Sequence, residues 1–268
     1  MKEVIKKKKM TWGTDHPGHI VFLVDLSGSM KDKIDYVIDA LYRTFQAIII
    51  HCTPGGHVKN RVSVAVYGYN YHIVELLNVD AFGLAKAFLV AKKENKPIFD
   101  KNVEAKPEHQ TCMKMAFDKA KEDIEQWIAA QRANGITAIP APIVINITDG
   151  KPYEGEGDDV QKEVFKQTLQ SARALMNLKT EDGNVCVFNV HYDPETSDPT
   201  LRFPTSEPTI DDNMAFLFNA SSPMSNELVN SAQAYGFQEA VIGSRCMMSN
   251  EKDASELAKF IEWGSTLP

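Results

Sequence analysis

The sequence has few cysteines, four in 268 residues, at Cys52, Cys112, Cys186 and Cys246, and no two form a C-x-x-C pair. That usage suggests neither a disulfide framework nor a zinc knuckle, so the thiols read as reduced and the compartment as cytoplasmic. Long apolar runs are also missing. The longest, at 20–24, 47–50 and 143–147, fall far short of the ~20 residues that cross a bilayer, so the chain reads as soluble with no membrane partner. The basic start is not followed by the apolar core and small-residue site of a secretory signal. Positive charge is in deficit: Lys+Arg 29 against Asp+Glu 36 gives −7. A duplex-binding surface needs a basic excess to displace counterions, which excludes a general nucleic-acid binder and leaves the lysines at 6–9 as a solvated tail. There is no Gly-x-Ser-x-Gly elbow, no phosphate-binding glycine loop, no His-Glu-x-x-His and no histidine pair at ligand spacing on one helix.

What is present is alternation. The run at 20–24 (Ile-Val-Phe-Leu-Val) is short, β-branched and bounded by Asp25 and a Ser-Gly-Ser turn, which predicts a buried strand. Over 31–51, Ile34, Val37, Ile38, Leu41, Phe45 and Ile48 recur at three- and four-residue intervals, one face of a helix. Strands at 62–69 and 71–77 around Gly68 to Asn70 read as a hairpin at a sheet edge. Helices follow at 84–93, 112–131, 159–176, 226–235 and 253–263, a polar loop at 97–107, and further strands at 142–148, 185–190 and 243–248. Strands alternating with helices imply an α/β fold, a mainly parallel sheet with helices on both faces. The segment 192–212, rich in Pro, Thr, Ser and Asp, reads as a loop insertion. The expected organisation is an N-terminal tail over 1–17 and one domain over 18–268.

In an open parallel sheet, ligands bind beyond the carboxyl ends of the strands. One strand there ends in Asp25-Leu26-Ser27-Gly28-Ser29, another in Thr148-Asp149-Gly150, and Thr111 precedes a long helix. These are hard oxygen donors without His or Cys, the chemistry of Mg²⁺, Mn²⁺ or Ca²⁺ and not of zinc. Alternate side chains of a tight loop can converge on one point, which suits Asp25, Ser27 and Ser29 to a shared ion. The plainer reading is that Ser29 caps the following helix.

Residues 21–30 (Val-Phe-Leu-Val-Asp-Leu-Ser-Gly-Ser-Met), followed by Thr111 and Ile147-Thr148-Asp149-Gly150, resemble the metal-ion-dependent adhesion site of von Willebrand factor type A domains. The resemblance implies a doubly wound sheet with one antiparallel edge strand. It also implies a Mg²⁺ held directly by Ser27, Ser29 and Thr111, and directly or through water by Asp25 and Asp149. An aspartate or glutamate of a partner protein would complete the shell. The family often places glycine and proline around the threonine, where this chain has His109-Gln110-Thr111-Cys112. The segments at 219–222, 226–236 and 260–264 are similar to bacterial intracellular members of the tellurium-resistance and stress type. Those members are associated with protein kinases and PP2C-type phosphatases, and others of the family with AAA+ ATPases.

The expected function is therefore a non-catalytic interaction module, with specificity from loops at 101–107, 153–159 and 192–212. The alternative is a Mg²⁺-dependent phosphohydrolase of haloacid-dehalogenase type with Asp25 as nucleophile. That chemistry needs an acid-base aspartate two residues on, where this chain has Ser27. His109 and His191 are candidates for the rim of the site.

Overall fold

The structure is a computed structural model that describes residues 11–96, 98–99, 110–209 and 211–265. Strand β1 (Gly18–Asp25) is buried along its whole length because both of its faces are covered. Ile20, Phe22 and Val24 point into one apolar core, and Val21 and Leu23 into the other. Pairing extends on either side through β2 (Val62–Tyr69), β3 (Ile73–Asp80), β4 (Ile143–Thr148), β5 (Cys186–Tyr192), β6 (Leu201–Arg202) and β7 (Met247–Glu251). The sheet of 7 strands runs in the order β3-β2-β1-β4-β5-β7-β6. The inner strands are parallel, and β3 and β6 are antiparallel at opposite edges. The mainly parallel α/β sheet expected from the alternation, and the doubly wound order that the resemblance implies, are thus present.

The helices divide between the faces. Helices α1 (Ile34–His51), α2 (Ala81–Glu94), α6 (Asn226–Ala234) and α7 (Ala254–Ser265) cover one side. On the other lie α3 (Met113–Ala133), α4 (Asp158–Met176) and α5 (Asp212–Asn219). Helix α1 begins three residues later than its periodicity suggests, after a 3-10 turn at Gly28–Met30.

The segment 192–212, expected as a loop insertion, contains β6, which adds a second antiparallel edge to the one anticipated. Arg202 holds it there, its guanidinium 2.7 Å from the nearly buried Glu251 carboxylate at the end of β7. Phe203 follows at φ 50, an unusual conformation for a bulky side chain, and its ring packs among Phe237, Phe260 and Trp263. The last parallel strand is Met247–Glu251 and not 243–248, because Ser249, Asn250 and Glu251 are buried in spite of their polarity. Trp12 packs against Gly18, where a Cβ would come within 2.2 Å of the indole, so residue 12 of the expected tail contacts the sheet.

Two buried polar networks tie sheet to helices. Tyr69 Oη donates to Asn146 Oδ1 (2.8 Å), Asn146 Nδ2 to Asn189 Oδ1 (2.9 Å), and Asn189 Nδ2 to Ser221 Oγ (3.0 Å), crossing from β2 through β4 and β5 to the loop after α5. In the other, Asp123 of α3 accepts from Tyr67 Oη (2.7 Å) and lies 2.6 Å from His19 Nε2, whose Nδ1 is 2.7 Å from Ser63 Oγ. This network fixes α3 against β1 and β2, and α3 follows directly on Thr111.

Candidate metal centre

Strands β1 and β4 are neighbours, but the chain leaves β1 toward β2 on one side and reaches β4 from the other. Their carboxyl ends therefore border the crevice where the strand order reverses, the usual ligand position in such sheets. Asp25 ends β1 and Thr148 ends β4. Gly68 on β2 lets the loop after β1 lie close, since a Cβ there would sit 2.4 Å from a Leu26 methyl.

The Asp25 carboxylate is fully buried. Its Oδ1 accepts the Ser27 amide (2.8 Å) and its Oδ2 the Thr148 hydroxyl (2.7 Å). Among the described residues no cationic side chain pairs with it. Burial outweighs these hydrogen bonds and pushes its pKa up to about 6, with repulsion from Asp149 adding to the rise.

Ser27 and Ser29 do not cap. Ser27 precedes the 3-10 turn without a side-chain capping bond, and α1 starts after Lys33, again without one. The plainer reading of the serines is thus not realised. Instead Ser27 Oγ lies 3.2 Å from Ser29 Oγ, and Ser29 Oγ donates to Asp149 Oδ1 at 2.8 Å. Thr111 is buried, and its backbone pairs in both directions with Tyr153 beyond Asp149, while the next amide, Cys112, bonds Asn70 O beyond β2. The structure thus brings Asp25, Ser27, Ser29 and Asp149 into one hydrogen-bonded group. Thr111 is held at the same sheet edge, and among the described residues no side-chain hydrogen bond joins it to the other four.

Three further residues complete the surroundings. Lys33 Nζ lies 2.8 Å from Asp149 Oδ2 and 3.1 Å from Asp193 Oδ1. Burial alone would lower its pKa, but the two carboxylates more than compensate and raise it. His191 is buried with Nε2 donating to Asp149 O (3.0 Å) and Nδ1 accepting the Asn250 amide (3.3 Å). Burial depresses its pKa and these two bonds suit the neutral ring, which pins the backbone at Asp149. Sequence reasoning placed His191 near the rim but missed Lys33. The available signal was position: Lys33 stands four residues after Ser29, one turn into the chain that leaves the loop. His109 and the loop at 101–107 lie outside the described residues.

Two carboxylates, two uncapping serine hydroxyls and a buried threonine fit a hard divalent ion. Asp25 strengthens that fit, since a buried carboxylate without a cationic partner is a favourable place for a bound cation. Among the described residues no group of three or more His, Cys, Asp or Glu is placed to hold a metal, so the candidate centre depends on its hydroxyls. A cavity of about 740 Å³ opens elsewhere, at the amino-terminal ends of β4 and β5 beside Arg173, Cys186 and Arg245, and includes none of the five candidate ligands.

The model of the von Willebrand factor type A domain matches residues 19–231. The chain belongs to this family. Type A domains commonly mediate adhesion or protein–protein interaction. No curated protein matches the sequence significantly. Among solved structures this type A domain is similar to BatB from Bacteroides thetaiotaomicron, at 14% identity and a TM-score of 0.38, over 66% of this chain and 68% of that one. It is also similar to proximal thread matrix protein 1 of the mussel byssus, at 12% identity and TM-score 0.44, over 96% and 47% of the two chains. A third is the manganese-loaded TRAP protein of Plasmodium vivax, at 17% identity and TM-score 0.36, over 66% and 57%. The chain thus spans about half the length of the latter two. The haloacid-dehalogenase alternative has no support: the matching family is another one, and Ser27 stands where that chemistry needs an aspartate. No helix among the described residues is long and apolar enough to cross a membrane.

Proposed function

We propose that this type A domain holds Mg²⁺, or Mn²⁺ or Ca²⁺ in its place, through Asp25, Ser27, Ser29, Thr111 and Asp149, and recognises an aspartate or glutamate of a partner protein. The observation that carries the reading is the direction of the two serine hydroxyls. Neither caps a helix: the Ser27 hydroxyl turns to Ser29 and the Ser29 hydroxyl to Asp149, at the crevice between β1 and β4. When bound, the ion supplies a Lewis-acidic position open to a carboxylate from outside. The chain's own groups prepare that position. Thr148 and the Ser27 amide orient Asp25, His191 holds the backbone at Asp149, and α3 carries Thr111 to the same edge. Neutral hydroxyl ligands leave the ion electron-poor, which favours an anionic partner group.

The module is non-catalytic in this reading, with contacts from the loops at 153–159 and 192–212 setting specificity. The resemblance to tellurium-resistance and stress proteins suggests an intact adhesion-type site in a cytoplasmic bacterial signalling system. A protein kinase, a PP2C-type phosphatase or an AAA+ ATPase would then be the partner. Capture from lysate by the tagged chain in Mg²⁺, in EDTA and with Asp25→Ala tests it. A partner retained only by the wild type in Mg²⁺ is the expected result and identifies the pathway. The same partner retained under all three conditions overturns the metal bridge and shifts the interface to the loops or a sheet edge.

A further inference from the structure

This inference rests on the metal reading above and concerns how the centre is regulated. Lys33 is the last residue before α1, and its side chain is mostly buried, 14% exposed, against an Asp149 carboxylate that is 1% exposed. Both Asp149 oxygens are taken within the chain, Oδ1 by the Ser29 hydroxyl and Oδ2 by the Lys33 ammonium. The ammonium has a second acceptor, Asp193, just beyond β5.

We propose that Lys33 is a tethered cation that occupies Asp149 in the ion-free protein and sets the affinity of the centre for a divalent ion, with Asp193 retaining the ammonium when Asp149 turns to the metal. The electrostatics require a neutralising charge in this place. Asp25 and Asp149 stand at adjacent strand ends, and without a cation their charges repel. Lys33 relieves that repulsion from within the chain. Once a divalent ion arrives, the same ammonium opposes it, and burial limits the screening that would weaken the opposition on an open surface. Asp193 reduces the conflict by giving the ammonium somewhere to remain. Because Asp193 stands at the start of the 192–212 segment, occupancy of the centre reaches the loop proposed to contact the partner.

The test is calorimetric titration of Mg²⁺ and Mn²⁺ into the full chain and its variants, each checked for fold by circular dichroism. Lys33→Met, which keeps the apolar stem and removes the charge, is expected to tighten both ions by about tenfold or more. Lys33→Gln is the second neutral variant should Lys33→Met misfold. Lys33→Arg keeps the charge and is expected not to tighten binding. Asp193→Asn is expected to loosen binding in the wild type by more than in the Lys33→Met background, because its effect passes through the ammonium. Tight binding by Lys33→Met where the wild type binds weakly or undetectably supports the inference. Wild-type binding that depends on Asp25 but is unchanged or weakened in Lys33→Met overturns it and leaves the metal reading standing. Absence of binding in the wild type and both neutral variants overturns both.

Discussion

Thr148 Oγ1 donates to Asp25 Oδ2 at 2.7 Å, joining the ends of two adjacent strands from residues 123 positions apart. With Oδ1 held by the Ser27 amide, the carboxylate has one orientation before any ligand arrives. Thr148→Val keeps the volume and removes the donor. It is expected to cost about 1–3 kcal/mol of stability, the range for leaving a buried acceptor unsatisfied, and to weaken Mg²⁺ binding. Urea denaturation and metal titration of the same preparation check both. Unchanged stability and affinity would mean that the Asp25 orientation is fixed by other contacts.

Asn146 sits in the middle of β4, fully buried, between Tyr69 and Asn189. Asn146→Leu is expected to destabilise the fold by about 2–4 kcal/mol, because two buried polar neighbours each lose a partner. The urea midpoint measures this. A shift under about 0.5 kcal/mol, ordinary for a surface change, would show that the relay across the sheet contributes little.

The pH dependence on the acid side follows from Asp123. Burial would raise its pKa, but hydrogen bonds and charge from His19, with Tyr67 adding to them, hold it below the ordinary 3.8. A carboxyl depressed in the folded state contributes stability that is complete above its unfolded value and lost as the pH falls through the folded one. Stability followed from about pH 6 to about pH 2 should therefore decline below the ordinary carboxylate range, and Asp123→Asn should decline less steeply there. Equal slopes would remove Asp123 from the account.

Arg202 anchors β6 through Glu251, with Glu256 3.2 Å away. Arg202→Ala is expected to speed amide exchange at 199–209 while α3 and β1 keep their protection, since the lost contacts are confined to that edge. Protection unchanged at 199–209 would place the anchoring in the Phe203 ring cluster alone.

The parts of the fold that were legible were those in which pattern and burial agree. β1, β4 and β5 are apolar on both faces, and α1, α3 and α4 have one apolar stripe, so period and composition identify them. Elements at the β6–β7 edge were less legible because specific pairs, and not periodicity, hold them. β6 is two residues fixed by one guanidinium, and β7 buries Ser249, Asn250 and Glu251, residues that read as surface. Helix α5 has Met214, Phe216, Leu217 and Phe218 buried, too many sides for a stripe, and so escaped assignment. At the candidate centre, the oxygen-bearing side chains and their strand-end positions were readable from spacing. The Lys33 bridge was not, because it depends on Asp149 and Asp193 meeting across two loops.

The central claim is that Asp25, Ser27, Ser29, Thr111 and Asp149 form a divalent-ion centre. It is tested most directly by calorimetric titration of Mg²⁺ into the wild type, Asp25→Asn and Ser29→Ala, with melting temperatures measured in EDTA. Saturable binding by the wild type, none by Asp25→Asn, and roughly tenfold weaker binding by Ser29→Ala are expected. In EDTA Ser29→Ala should lower the melting temperature only by what the lost hydrogen bond to Asp149 contributes, because its hydroxyl caps no helix. No binding of Mg²⁺ or Mn²⁺ by the wild type and by Lys33→Met alike, or equal binding by Asp25→Asn, would contradict the account.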